Sequence, residues 1–233
     1  MIPRRFATLA SLNHTLTRCC LCPRLQHHRE SVALRPRPMY ARQRYWSRPV
    51  PGFGDRRARL LLVGLAPGAH GSNRTGRMFT GDASGDWLYA ALHQFGFASQ
   101  EEATGRRDGL VLSDCYITAA ARCAPPGNRP TGAELARCLP FLAAELALLR
   151  RIRIVVPLGR IGFDAWLRAA GWWQRLPPRA RPRFGHGVES TLPDGTVLIG
   201  SYHPSRQNTN TGKLTRPMWH AVFRRARAIL DRT

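Results

Sequence analysis

A chain of 233 residues, 43% of them hydrophobic, is long enough to bury the core of one domain and too apolar to be disordered throughout. Lys and Arg outnumber Asp and Glu 36 to 14, a formal charge of +22, which disfavours an acidic mimic and points to a polyanionic partner such as nucleic acid. Arginine supplies all of that positive charge except Lys213; a bias toward Arg codons explains Arg in place of Lys but not the shortage of acids.

Residues 1–17 carry Arg and no acid, as a transit segment would, but they lack a secretory apolar core. No apolar run approaches the ~18 residues of a membrane span. These features fit a cytoplasmic, nucleoid-associated bacterial protein with no membrane partner, whose cysteines in a reducing compartment serve as metal ligands rather than disulfides. Residues 23–58 are rich in Arg and Pro and carry Tyr40, Tyr45 and Trp46, which reads as an extended arm pinned over the core by its aromatics. The organisation is thus an arm, 1–58, holding two metal ligands, and a core, 59–233, forming one domain. Within the core the pattern predicts strands over 59–65, 110–118, 152–158 and 196–201, and helices over 84–97, 131–151, 160–170 and 216–231. Thr131 and Glu134 have the spacing of a capping box, which supports that helix start. Such alternation predicts the α/β class, with a mostly parallel sheet covered by helices on both faces.

Three loops follow predicted strands. The first runs from Gly64 to Asp82, with five glycines, one proline and one aromatic in nineteen residues, and can bring backbone N–H groups close to a flat ligand. It lacks the Lys-Ser/Thr ending of a P-loop, so it is not a phosphate cradle of that kind. The second, Arg122 to Pro130, is a stiff turn whose prolines hold Asn128. The third opens with His203, whose backbone is restricted by Pro204, and continues with groups able to bond phosphates and base edges.

Of six cysteines, Cys19 and Cys22 form a C-x-x-C pair, and Cys123 and Cys138 follow in a distant segment. Four thiolates from these two segments suit either Zn²⁺ or a 4Fe–4S cluster, and spacing does not separate them. Cys115 lies mid-strand as a buried apolar thiol, and Cys20 fills the space between two ligands.

The motifs GLAPGAHGSNRTGRMFTGD, ITAAARCAPPGNRP and SYHPSRQNTNTGKLT resemble those of the uracil-DNA glycosylase superfamily. The likeness is nearest to the fifth, B-type family of its iron–sulfur branch, and extends from Cys19 to about residue 225. The resemblance implies a three-layer α/β/α fold around a central four-stranded, mostly parallel sheet. It implies a 4Fe–4S cluster on Cys19, Cys22, Cys123 and Cys138. It also implies a monofunctional DNA N-glycosylase for base-excision repair, which flips a damaged base into a pocket and leaves an abasic site.

In that reading Asp82, His203 and Asn128 carry the chemistry. Gly64, Leu65, Ala66, Gly68, Phe79 and Ala119 bind the base, with Phe79 as stacking platform. Asn73, Arg74, Ser205, Arg206, Gln207 and Asn208 contact DNA. Relatives in the fourth family carry a glutamate where this chain has Leu65 and a uracil-reading asparagine where it has Ala119. The carboxylate role therefore falls to Asp82, and loss of discriminating hydrogen bonds broadens the substrate range. The expected partner is double-stranded DNA containing uracil or hypoxanthine, with xanthine, ethenocytosine and single strands as further candidates, acted on by a monomer. The competing readings are a non-catalytic nucleic-acid-binding protein with a structural metal and an iron–sulfur redox protein.

Overall fold

The computed structural model describes residues 6–232. The amino-terminal segment forms α1 (Leu9–Leu16) and α2 (Pro23–Leu34), and then a short edge strand, β1 (Phe53–Gly54). Strand β2 (Leu60–Gly64) leads through the one-turn α3 (Ser72–Thr75) to α4 (Ala83–Gln94). Next come β3 (Cys115–Ala119), α5 (Gly132–Leu148), β4 (Ile154–Pro157), α6 (Arg160–Ala169) and the short α7 (Trp172–Arg175). The chain closes with β5 (Glu189–Thr191), β6 (Val197–Ile199), α8 (Arg206–Asn210) and α9 (Arg216–Leu230).

These strands make one sheet in the order β1-β3-β2-β4-β6-β5. The inner four are parallel, as expected, and β1 and β5 pair antiparallel at the two edges. The sheet therefore has six strands rather than the four expected. A strand of two residues and a strand of three polar ones leave no apolar periodicity to find.

Alternation within each strand divides the core. Leu60, Leu62, Ile117, Ile154 and Val156 face one layer with Leu88, Leu92, Trp219 and Phe223 of α4 and α9. Leu61, Val63, Tyr116, Val155 and Leu198 face the other with Leu12, Phe141, Phe163 and Trp166 of α1, α5 and α6. Both faces of a parallel sheet are thus covered, which is why its strands read as unbroken apolar runs.

Two expectations change. The strand anticipated over 110–118 begins at Cys115, because Asp114 adopts φ +56 and turns the chain. Its carboxylate accepts from the Arg59 backbone N–H at 2.9 Å and pairs with the Arg59 guanidinium at 2.7 Å. The arm is also not extended throughout. Pro23 occupies the first turn of α2, where its missing N–H costs nothing. Only Leu25 and Arg29 of that helix are buried, so its sequence shows no apolar stripe. α1 starts at a capping box between Thr8 and Ser11 and buries Leu9, Leu12 and Leu16. Beyond α2 the arm buries Tyr45 and Val50, whereas Tyr40 and Trp46 are half-buried. Among the described residues no helix is long and apolar enough to cross a membrane.

One buried ion pair binds these layers. Glu145 of α5, with no exposed surface, accepts from Tyr116 Oη at 3.1 Å, from Thr118 Oγ1 and from the Arg122 guanidinium. Leaving either charge without its partner in such a place costs about 3–5 kcal/mol. Arg122→Met should therefore lower unfolding stability by about that amount in urea titrations, with Arg122→Met/Glu145→Leu recovering part of the loss.

Candidate active site

The loop after β2 is held rigid by two arginines. Arg77, 4% exposed, pairs with Asp108 and donates through Nε to Thr80 Oγ1 at 2.9 Å. Burial alone would raise the Asp108 carboxyl, but Arg77 and three backbone N–H groups hold it well below the usual carboxylate range. Arg74 donates to the carbonyls of His70 and Gly81 and lies 4.0 Å over the Tyr40 ring. Tyr89 Oη donates to the Met78 carbonyl at 2.7 Å.

Phe79, next in the chain, adopts φ +52, a left-handed conformation that a Phe holds only when its surroundings impose it. Its ring stacks on His203, with centroids 5.7 Å apart and planes 29° from parallel. Gly64 at the end of β2 makes room for that ring, since a Cβ there would lie 2.9 Å from it.

Asp82 caps α4. Its Oδ1 accepts from the backbone N–H groups of Ser84 and Gly85, both at 3.1 Å. Oδ2 accepts no hydrogen bond among the described residues and faces the turn at Gly71, where a Cβ would stand 1.9 Å from it. Loss of solvent raises the Asp82 carboxyl above its ordinary value, opposed by those two amides and by the positive charge of Arg206.

His203 leaves β6 two residues after an isolated bridge between Ser201 and Leu158. Asn208 Nδ2 donates to its carbonyl at 2.9 Å and fixes its backbone. Desolvation lowers the imidazole to about 4, so the ring is neutral at neutral pH.

Asp82, His203 and Phe79 line one open cleft, shared with Leu65, Ala66 and Gly68. It opens at the carboxyl ends of β2, β4 and β6, where open parallel sheets keep their ligands. The backbone N–H groups of Ala66 and Gly68 donate to nothing among the described residues. Asn128 reaches the rim in a left-handed turn, φ +57, and Ser205, Arg206 and Gln207 border the opening.

Other expected site residues stand elsewhere. Gly64 and Ala119 are paired in register between β2 and β3, buried and behind the lining. Asn73 is 1% exposed and donates to the carbonyls of Arg29 and Ala69, so it braces the loop and faces no DNA. Arg74 is spent on the loop contacts described above, and Asn208 on His203. The sequence reading missed Arg37, Tyr40, His70 and Arg160, which all line the cleft. Gly159-Arg160 directly after an apolar strand was a legible signal of a strand-end loop. For Tyr40 and His70, stacked 6.3 Å apart, only tertiary contact reveals the pairing.

Cys19, Cys22, Cys123 and Cys138 surround a separate small cavity that also touches Arg29, Arg122 and Arg137. Arg29 Nη1 donates to Cys123 Sγ at 3.0 Å. Burial pushes the Cys123 thiol up to about 11 and that of Cys138 to about 12. Among the described residues no three His, Cys, Asp or Glu side chains are grouped to hold a single metal ion. Cys115 is fully buried in β3 and Cys20 is exposed, so neither joins the four.

The description "uracil DNA glycosylase superfamily" belongs to the family model that matches residues 51–227, and the chain is a member of that family. Individual relatives narrow the likeness to one type. The chain is 53% identical to the Type-5 uracil-DNA glycosylase of Thermus thermophilus over 92% of its own length and 95% of that protein. It is 49% identical to the Type-5 uracil-DNA glycosylase of Mycobacterium tuberculosis, covering 95% of this chain and 82% of the relative. A Type-5 uracil-DNA glycosylase of Pyrobaculum aerophilum is 44% identical over 91% of the chain and 89% of its own length.

The neutral state of His203 has a measurable consequence. An unfolded imidazole titrates near 6.5 and His203 at about 4, so between those values the unfolded chain binds a proton that the folded chain refuses. Its contribution to stability is complete above 6.5 and is lost as pH falls toward about 4. In His203→Asn, the fall in unfolding free energy between about pH 7.5 and 4.5 should shrink by on the order of 2 kcal/mol, read from urea titrations.

Proposed function

We propose that the chain is a monofunctional DNA N-glycosylase that removes uracil from DNA and accepts other deaminated bases, hypoxanthine and xanthine, with the cytosine adduct ethenocytosine as a further substrate. The observation that carries this reading is the stacking of Phe79 on a neutral His203 in one cleft with the Asp82 carboxylate. A base flipped from the duplex would lie against the Phe79 ring, with the amides of Ala66 and Gly68 within reach of its oxygens.

Hydrolysis breaks the C1′–N bond, and the electron pair departs with the base. A ring N–H of His203 donates to the base oxygen on which that charge gathers. A neutral donor stabilises the developing anion without handing over its proton early, and such preorganised donors contribute about 3–4 kcal/mol to the barrier. Asp82 Oδ1 is committed to two amides, leaving Oδ2 to orient water toward C1′ and to stabilise the positive charge on the sugar. The water oxygen bonds to C1′, its proton passes by way of Oδ2 to solvent, and the released base regains a proton. Lys213 lies outside the cleft, over the Tyr202 ring at 5.2 Å, so no lysine amine stands ready for a Schiff base and strand nicking is not expected.

Breadth follows from what the wall lacks. Leu65 and Ala66 offer no side-chain amide to test the pattern of donors and acceptors on the base. Beside Phe79 the wall offers shape, stacking and backbone N–H groups, which oxygenated purines and pyrimidines both satisfy, while the side-chain amides of Asn128 and Gln207 stand at the rim.

The four cysteines fit a 4Fe–4S cluster in charge and in placement. They surround a cavity rather than a point, and the arginines beside them suit the negative charge of a thiolate-ligated cluster. When bound, such a cluster would tie α2 and the arm to β3 and α5 through Cys19, Cys22, Cys123 and Cys138. Solution as a monomer, action on single strands as well as duplex, and a place in the nucleoid belong to the same reading.

Two experiments test it. Base release from duplexes carrying uracil, hypoxanthine, xanthine or ethenocytosine should be detectable for uracil and hypoxanthine. Asp82→Asn should lower the single-turnover rate by about 10²–10⁴-fold and His203→Ala by about 10²–10³-fold, and unchanged rates would remove both role assignments. Anaerobically purified protein should absorb broadly near ~400 nm and carry about four irons per chain, and Cys138→Ala should lose that band. Zinc in its place would overturn the cluster.

A further inference from the structure

At the amino-terminal ends of the strands, opposite the cleft, lies an open groove. Its walls are Arg59, Arg150, Arg151 and Arg153, and its floor includes Val197 and Ile229. No carboxylate belongs to the lining. Arg59 is neutralised by Asp114 and bonded to the Leu230 carbonyl at 3.0 Å. The side chains of Arg150, Arg151 and Arg153 are exposed and make no ion pair, hydrogen bond or ring contact among the described residues. Asp194, on the neighbouring turn, accepts through Oδ1 from the Thr196 N–H at 3.0 Å and makes no ion pair with them.

We propose that this groove is a second DNA site, which holds the phosphates of a separate duplex segment while the cleft works on the first. The proposal extends the reading of the chain as a DNA enzyme and rests on it. Three guanidinium forks within four residues, at the entrance to β4, are each suited to bidentate contact with phosphate oxygens. An acidic protein partner would call for an aromatic anchor at the centre of its contact, and the groove lining contains no aromatic residue.

One duplex cannot fill both sites. The cleft follows the carboxyl ends of the parallel strands and the groove precedes their amino ends, so the sheet separates them. DNA is stiff over about 150 base pairs and does not fold around so small a domain without cost. A protein that grips a second segment before releasing the first can pass between distant stretches of DNA without entering solution. That suits an enzyme whose substrate bases are scattered among a great excess of ordinary ones.

The test uses two short, undamaged duplexes, one with a donor and one with an acceptor dye, and the full chain as the only bridge. The wild-type protein should bring them together, and Arg150→Gln/Arg151→Gln/Arg153→Gln should reduce bridging about tenfold and cut its salt slope by about three. A control of equal charge loss, Arg179→Gln/Arg183→Gln/Arg224→Gln, should bridge as wild type does. Uracil release from a single short duplex, measured on the same proteins, reads the glycosylase independently. It should be unchanged in the groove variant.

Equal bridging by wild type and groove variant would overturn the proposal. So would a groove variant that slows uracil release as much as it weakens bridging, because the arginines would then belong to the first DNA track. Absence of bridging, with a polyglutamate peptide bound by wild type and not by the variant, would assign the groove to an acidic protein instead. If uracil release fails in every form while bridging follows the groove arginines, the glycosylase reading falls and the second site stands.

Discussion

The buried Glu145 carboxylate is the contact on which the most distant parts of this molecule depend. It draws Tyr116 and Thr118 of β3 and Arg122 of the following loop onto α5. The Arg122 carbonyl accepts from the Val50 N–H at 2.7 Å, and Gly52 passes so close that a Cβ there would meet Glu145 at 2.4 Å. Arg122 precedes Cys123, and Cys138 lies on the same helix as Glu145. Sheet, helix, arm and cysteine cavity therefore meet at one pair of charges. A buried pair of this kind adds little net stability over an apolar substitute, but once present it tolerates no missing partner. It also dictates which way the loop after β3 turns, and that loop carries Asn128 to the rim of the cleft.

In the cleft the same low polarity acts on two groups with opposite effect. Burial disfavours the charged form of each, so the Asp82 carboxyl moves up and the His203 imidazole moves down. A neutral imidazole donor beside a more basic carboxylate is a division of labour suited to a departing anion and an attacking water. Neither group needs a mobile partner. Asp82 is anchored as a helix cap, and His203 is held between the Phe79 ring and the Asn208 amide. Arg77 and Tyr89 hold the residues on either side of Phe79, and the missing side chain of Gly64 makes room for its ring, so its strained backbone is supported from both sides.

The arginine excess is not spread uniformly in its effects. Arg77, Arg74 and Arg122 are structural, spent on carboxylates and carbonyls inside the protein. Arg37, Arg160 and Arg206 face the cleft, and Arg150, Arg151 and Arg153 stand free at the other end of the sheet. Composition gives the sign of the partner's charge, but only the surrounding geometry separates an arginine that binds from one that braces.

The inner sheet and its covering helices were legible because their period is written in consecutive residues. The Leu60–Gly64 run, the Thr131 cap and the Arg216 helix needed no distant partner to be recognised. Asp82, His203 and Phe79 were legible for a similar reason, since each sits at the end of an apolar strand or in a long motif. What sequence could not decide was direction. Asn73 and Arg74 sit in the same motif as Phe79, yet they turn inward, because the carbonyls they satisfy come from α2 and from the far side of the loop. The edge strands, the polar helix α2 and the arginine groove arise from segments with no local signature. Local sequence determines which groups the chain can offer, and long-range burial and pairing determine which of them meet.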